Sequence, residues 1–278
     1  MKTGTLNRPI LALALLASVT GFADFSISFN FGAGIEESRK TAFYDAAAFW
    51  EAHLTGYRYN DPSLNGIVIQ AEIAAYDGSG GALGYGAPAA AQFFENITLD
   101  GASSAANVAY STEGYMLFDS EDIDSLIAGG SWETLVRHEV AHALGFGYGW
   151  NFETNGITYN EVYALDSGQY TGAGALAAYQ SEFDADATFV PVEMSDQIHW
   201  DEVDEGIALT GIVDSQGRDM RYELMTGWLN TQEPSFVSNT TLGQFYDLGY
   251  TVIPEPSSIG MLALCGVCMH FIRSRFLV

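Results

Sequence analysis

Apolar and polar residues alternate from Phe25 to Phe31 (Phe-Ser-Ile-Ser-Phe-Asn-Phe), the two-residue period of a half-buried strand. Gly32 and Gly34 break that run. Between residues 36 and 54 the period lengthens: Ala42, Phe43, Ala46, Ala47, Phe49, Trp50 and Leu54 recur at helical spacing and predict an amphipathic helix. The Val- and Ile-rich segment 66–75 reads as a strand that leaves the sheet into the glycine-rich loop 77–87, and 96–99 and 115–118 read as short strands. Gly129-Gly130-Ser131 supplies a break and an N-cap for a second helix, 132–144, which ends at Gly145. About 80 residues of weak periodicity follow, with a short helix at 175–183, a closing helix at 241–248 and a strand-like 250–253. The pattern predicts an α+β fold: a twisted mixed sheet, two long helices and a less regular C-terminal subdomain.

Two terminal segments obey neither period. Residues 1–23 begin with Lys2 and Arg8, run through apolar residues from Ile10 and end in small residues, with Gly21 and Ala23 at −3 and −1 of a cleavage before Asp24. That order is a secretory signal peptide. At the other end, Pro254-Glu255-Pro256 precedes a largely apolar stretch, 259–272, and then Arg273 and Arg275. This arrangement resembles the PEP-CTERM sorting tail of Gram-negative-type bacteria. The resemblance implies an exosortase-type sorting machinery as partner for 254–278, transient membrane association, and a secreted or surface location. The only cysteines, Cys265 and Cys268, lie inside the tail and read as incidental. The domain between, 24–253, therefore rests on packing rather than disulfides.

Charge removes one class of function. Lys and Arg number 10 against 35 Asp and Glu, a net charge of −25, which opposes nucleic-acid binding. The acidic cluster 119–124 lacks the glycine and spacing of a calcium loop and reads as a solvated turn.

The chemistry sits on the second helix. His138-Glu139-Val140-Ala141-His142 places two imidazoles one helical turn apart, able to hold one metal ion, with a carboxylate beside them. Chance would produce such a string in about one of 200 comparable chains. Catalytic Zn²⁺ sites use three protein ligands and leave a position for water, whose proton a carboxylate such as Glu139 can take. Of five histidines, His53 lies on the first helix and His270 in the tail, leaving His199 as the remaining candidate in the domain. Glu161 or Asp201 are acidic alternatives for the third ligand. In the shorter metzincin pattern a histidine follows three residues after Gly145, where this chain has Tyr148.

The extended string His138 to Phe146, followed by Val190-Pro-Val-Glu, His199-Trp200, Glu223-Leu-Met225-Thr-Gly227 and Leu242-Gly to Tyr250, resembles the leishmanolysin-like metzincins, especially their bacterial exported relatives. The resemblance covers roughly residues 137–252. It implies His138, His142 and His199 as zinc ligands, Glu139 as general base, and Met225 in a turn beneath the metal. The glycine-rich piece before the third histidine is shortened to 194–198, and the disulfides of eukaryotic members are absent. The expected activity is a zinc endopeptidase acting on protein or peptide substrates. A catalytically silent scaffold used at the surface or in extracellular matrix is the alternative, and hydrolysis of a non-peptide substrate is a third reading.

Overall fold

The computed structural model describes residues 25–202, 206–229 and 234–253. The signal-peptide and sorting-tail readings, with Cys265 and Cys268, lie outside the described residues. The fold is α+β around a mixed four-stranded sheet, as the periodicity predicts.

Strand β1 (Ser26–Phe31) leads through helix α1 (Lys40–His53) and short β2 (Leu54–Tyr57) to β3 (Gly66–Ala74), which pairs with β1 in parallel. Two long strands follow, β4 (Gly84–Thr98) and β5 (Ala105–Asp119), in a sheet ordered β1-β3-β5-β4. Only β4 runs antiparallel to its neighbour, and it forms one edge. Here the sequence reading falls short: the predicted short strands 96–99 and 115–118 belong to these hairpin arms, and β4 begins inside the predicted loop. The glycines and Pro88 at its start hide the strand period, and three register irregularities interrupt its pairing. Pro and bulges are tolerated at an edge, where one side of the strand needs no partner.

The turn after β5 is also corrected. Asp119 and Asp122 are buried rather than solvated, because their carboxylates accept from backbone amides of the glycine-rich loop: Asp77 and Gly78 donate to Asp119, Gly80 to Asp122. These carboxylates replace the hydrogen bonds the loop amides would make to water. A short helix α2 (Ile123–Gly129) follows, closed by Gly130 at φ 75.

Helix α3 (Trp132–Ala143) packs against α1 and the sheet. Ser131 precedes it without the expected side-chain cap, since its backbone is already helical (φ −101, ψ −6). Phe43, Phe118 and Trp132 meet edge to face, and the Trp50 indole of α1 donates to Arg137 O at 3.0 Å. The C-terminal carbonyls of α3 are satisfied from outside the helix: Ser111 on β5 donates to Ala143 O at 2.7 Å and Tyr250 to Leu144 O at 2.9 Å.

The C-terminal part holds small hairpins β6 (Phe152–Thr154) with β7 (Ile157–Tyr159), and β8 (Gln169–Tyr170) with β9 (Val190–Pro191). Helices α4 (Ala173–Glu182) and α5 (Asn239–Asp247) cross at Gly174 and Gly243, where a Cβ on Gly243 would lie 2.7 Å from the Gly174 backbone. Each helix sends a carboxylate to the other's first amides: Glu182 accepts from those of Asn239 and Thr240, beside the Ser238 cap of α5, and Asp247 from those of Gly174 and Ala175. Strand β10 (Tyr250–Val252) closes the chain against β2.

Candidate metal centre

Helix α3 carries His138 and His142 one turn apart, and the chain must then turn back to bring a third ligand over them. Gly145 (φ +116) and Gly147 (φ +73) make that turn. A Cβ on Gly147 would lie 2.6 Å from Ile198 O, so the absence of a side chain lets the turn pass directly beneath the segment bearing His199. Trp200 anchors that segment. Its buried ring stacks on Trp150 at 5.2 Å, its indole donates to Thr241 Oγ1 at 2.8 Å, and its amide donates to Met225 O at 3.0 Å. His199 is thus held by a tryptophan core on one side and the 223–226 turn on the other.

The three Nε2 atoms form a nearly equilateral triangle: 3.0 Å from His138 to His142, 3.1 Å from His138 to His199 and 2.9 Å from His142 to His199. Each Nδ1 faces an oxygen acceptor: Leu224 O at 2.6 Å for His138, Phe146 O at 3.0 Å for His142 and Asp196 Oδ2 at 2.7 Å for His199. Those partners require Nδ1–H, so each neutral ring turns a bare Nε2 lone pair toward the other two. Three lone pairs at this separation repel unless a cation lies among them. Tetrahedral zinc with Zn–N bonds of about 2.0–2.1 Å would set its nitrogens about 3.3 Å apart, close to this triangle. Burial, and next the neighbouring imidazoles, press His138 down to about 3 and His142 well below the usual histidine range, which keeps both rings neutral and available as ligands. The three histidines lie close enough to bind one metal ion, and imidazole donors suit zinc, copper, iron or nickel.

A cleft of about 620 Å³ opens over the triangle. Glu139 lines it, buried, its carboxyl pushed up to about 8 by desolvation. The edge strand forms one wall: a Cβ on Gly86 would stand 2.3 Å from Glu139 O, and one on Gly84 would stand 3.0 Å from Glu139 Oε1. The opposite wall comes from 193–202 and the turn after Arg221, including Trp228, which is half exposed. Beneath it, buried Glu223 accepts from the amides of Met225 (2.6 Å) and Ser238 (2.9 Å) and from the hydroxyl of Thr241 (2.6 Å). This carboxylate ties the methionine-bearing turn to α5. Glu202, pushed up to about 7 mainly by burial, accepts from the Trp228 amide at 3.1 Å.

The fold therefore brings His138, His142 and His199 together, with Glu139 in the same cleft and Met225 buried in the adjoining turn. Among the described residues the three-histidine group includes neither Glu161 nor Asp201. His53 ends α1, its Nδ1 2.7 Å from Phe49 O. The sequence reading passed over Asp196, Tyr85, Glu202 and the two edge-strand glycines. Asp196 had one faint signal, its place three residues before a candidate ligand, inside the shortened segment 194–198. No protein-family model matches this chain, and no curated protein matches it either.

Proposed function

We propose that this protein is an exported zinc endopeptidase, with a metzincin-like catalytic domain over 24–253 ending in a methionine turn at Met225. The observation that carries the reading is the triangle of bare Nε2 atoms with a buried carboxylate, Glu139, on the same helix and in the same cleft. Bound at the three histidines, Zn²⁺ would supply Lewis-acid activation of water and of the scissile carbonyl. Glu139 takes the proton of the attacking water and passes it to the leaving nitrogen. The edge of β4, with Gly84, Tyr85 and Gly86 at the cleft, offers backbone groups to an extended peptide, a mode of binding that needs little side-chain matching. Export by the signal peptide and handling of the tail by an exosortase-type machinery complete the proposal.

Zinc analysis of the purified full chain, paired with cleavage of a quenched-fluorescent peptide library, tests it. About one zinc per chain is expected, lost in His199→Ala. Glu139→Gln should keep the metal and lose on the order of 10²–10⁴-fold in turnover. A zinc-loaded protein that cleaves no member of the library would favour the alternative, a silent scaffold kept for surface or matrix binding.

A further inference from the structure

Hydrolysis needs a donor to the oxygen that becomes negative, and the carboxylates that line the cleft, Glu139, Asp196 and Glu202 among them, would repel that charge. The turn after α3 places a phenol there instead. The Tyr148 ring stands edge-on to the ring of His142, 5.9 Å between centroids at 70°, and the residue lines the cleft half-buried. It lies within electrostatic reach of both Glu139 and Asp196. Its backbone is pinned: Tyr148 N donates to Phe146 O at 2.9 Å and Gly149 N to Gly145 O at 2.8 Å, and Trp150 is locked into the tryptophan core.

Tyr85 of the edge strand meets Tyr148, ring centroids 5.9 Å apart at 69°, with the two phenols in electrostatic contact. A phenol can accept one hydrogen bond while donating another. The Tyr148 O–H turns about its C–O bond, so it can swing from Tyr85 to an acceptor that arrives in the cleft. Tyr148 thus packs against the edge strand on one side and His142 on the other.

We propose that Tyr148 is a catalytic residue: its hydroxyl donates to the oxyanion formed when water adds to the scissile carbonyl, and Tyr85 holds it in position. The inference rests on the peptidase reading above. In the step, the water oxygen forms a bond to the carbonyl carbon, the C=O π electrons move onto oxygen, and Glu139 takes the water proton. Collapse re-forms C=O and breaks C–N as Glu139 returns the proton to nitrogen. Tyr148 gives up no proton; its hydrogen bond strengthens as the charge develops, which lowers the barrier.

The test compares wild type, Tyr148→Phe and Tyr85→Phe for zinc content, for kcat and KM on the peptide library, and by calorimetry for affinity toward a phosphinic peptide that mimics the tetrahedral species. In Tyr148→Phe we expect full zinc, KM within about twofold, and parallel losses of about 10²-fold in kcat and in phosphinic-peptide affinity. Tyr85→Phe should lose less, about tenfold, since its contact is indirect. A Tyr148→Phe protein with wild-type kcat and inhibitor affinity overturns the assignment, as does one that loses its zinc, which would make the ring a packing element. If zinc-loaded wild type cleaves nothing, the peptidase reading itself fails and the inference falls with it.

Discussion

At the scale of residues, the centre is built by orientation more than by ligand identity. A metal-ligating histidine almost always gives its other N–H to an acceptor that orients the ring, and here three different acceptors serve: the carbonyls of Leu224 and Phe146 and the carboxylate of Asp196. Asp196 is the one of these a mutation can remove. Asp196→Ala should lower zinc affinity about 10–100-fold without unfolding the protein, read by competition with a calibrated chelator. Wild-type affinity in that variant would show that Asp196 does not orient His199. His138, Glu139 and His142 were legible in the sequence because helical geometry forces residues four apart onto one face. Asp196 was not, because nothing in composition separates it from the rest of the 35 acidic residues until the fold sets it 2.7 Å from His199 Nδ1.

At the scale of elements, close approach decides where the cleft walls stand. The edge strand β4 can lie against α3 because Gly86 carries no side chain where one would strike Glu139 O. Gly86→Ala should force the strand outward, costing about 1–3 kcal/mol in denaturant unfolding and reducing turnover, as the wall and Tyr85 move together. Glu223 plays the matching part across the cleft: Glu223→Ala leaves the amides of Met225 and Ser238 and the Thr241 hydroxyl without their acceptor, and should destabilise by about 2–4 kcal/mol in the same measurement. An unchanged unfolding midpoint in either variant would contradict these packing roles. The helices α1, α3, α4 and α5 lay within a few residues of their expected spans, since a 3.6-residue period survives in their composition. Strands β4 and β5 were underestimated: glycine, alanine and proline at the start of β4 erase the alternation, and its pairing with β5 supplies the extended backbone instead.

At the scale of the whole molecule, stability should depend on metal and not on sulfur. Among the described residues there is no cysteine, so a reducing agent should leave the melting temperature of the domain unchanged. Chelation should lower it, because an ion that binds only the folded chain stabilises by about 2.7 kcal/mol at one hundred times its Kd. Scanning calorimetry with and without chelator reads both; a melting temperature indifferent to chelation would mean that the triangle is held by its acceptors alone.

The sequence by itself determined the mixed α+β class, the helices, the paired histidines with Glu139, and the strongly acidic surface, because each of these follows from local spacing or simple composition. Only the tertiary structure decided that His199, and not Glu161 or Asp201, joins the other two histidines, that Asp196 orients it, that Tyr85 meets Tyr148 beside the cleft, and that Asp119 and Asp122 are buried against a glycine-rich loop. Each of those depends on chain segments far apart in sequence meeting within a few ångströms. Such meetings are set by how the tryptophan core and the glycine contacts pack, which no local period records.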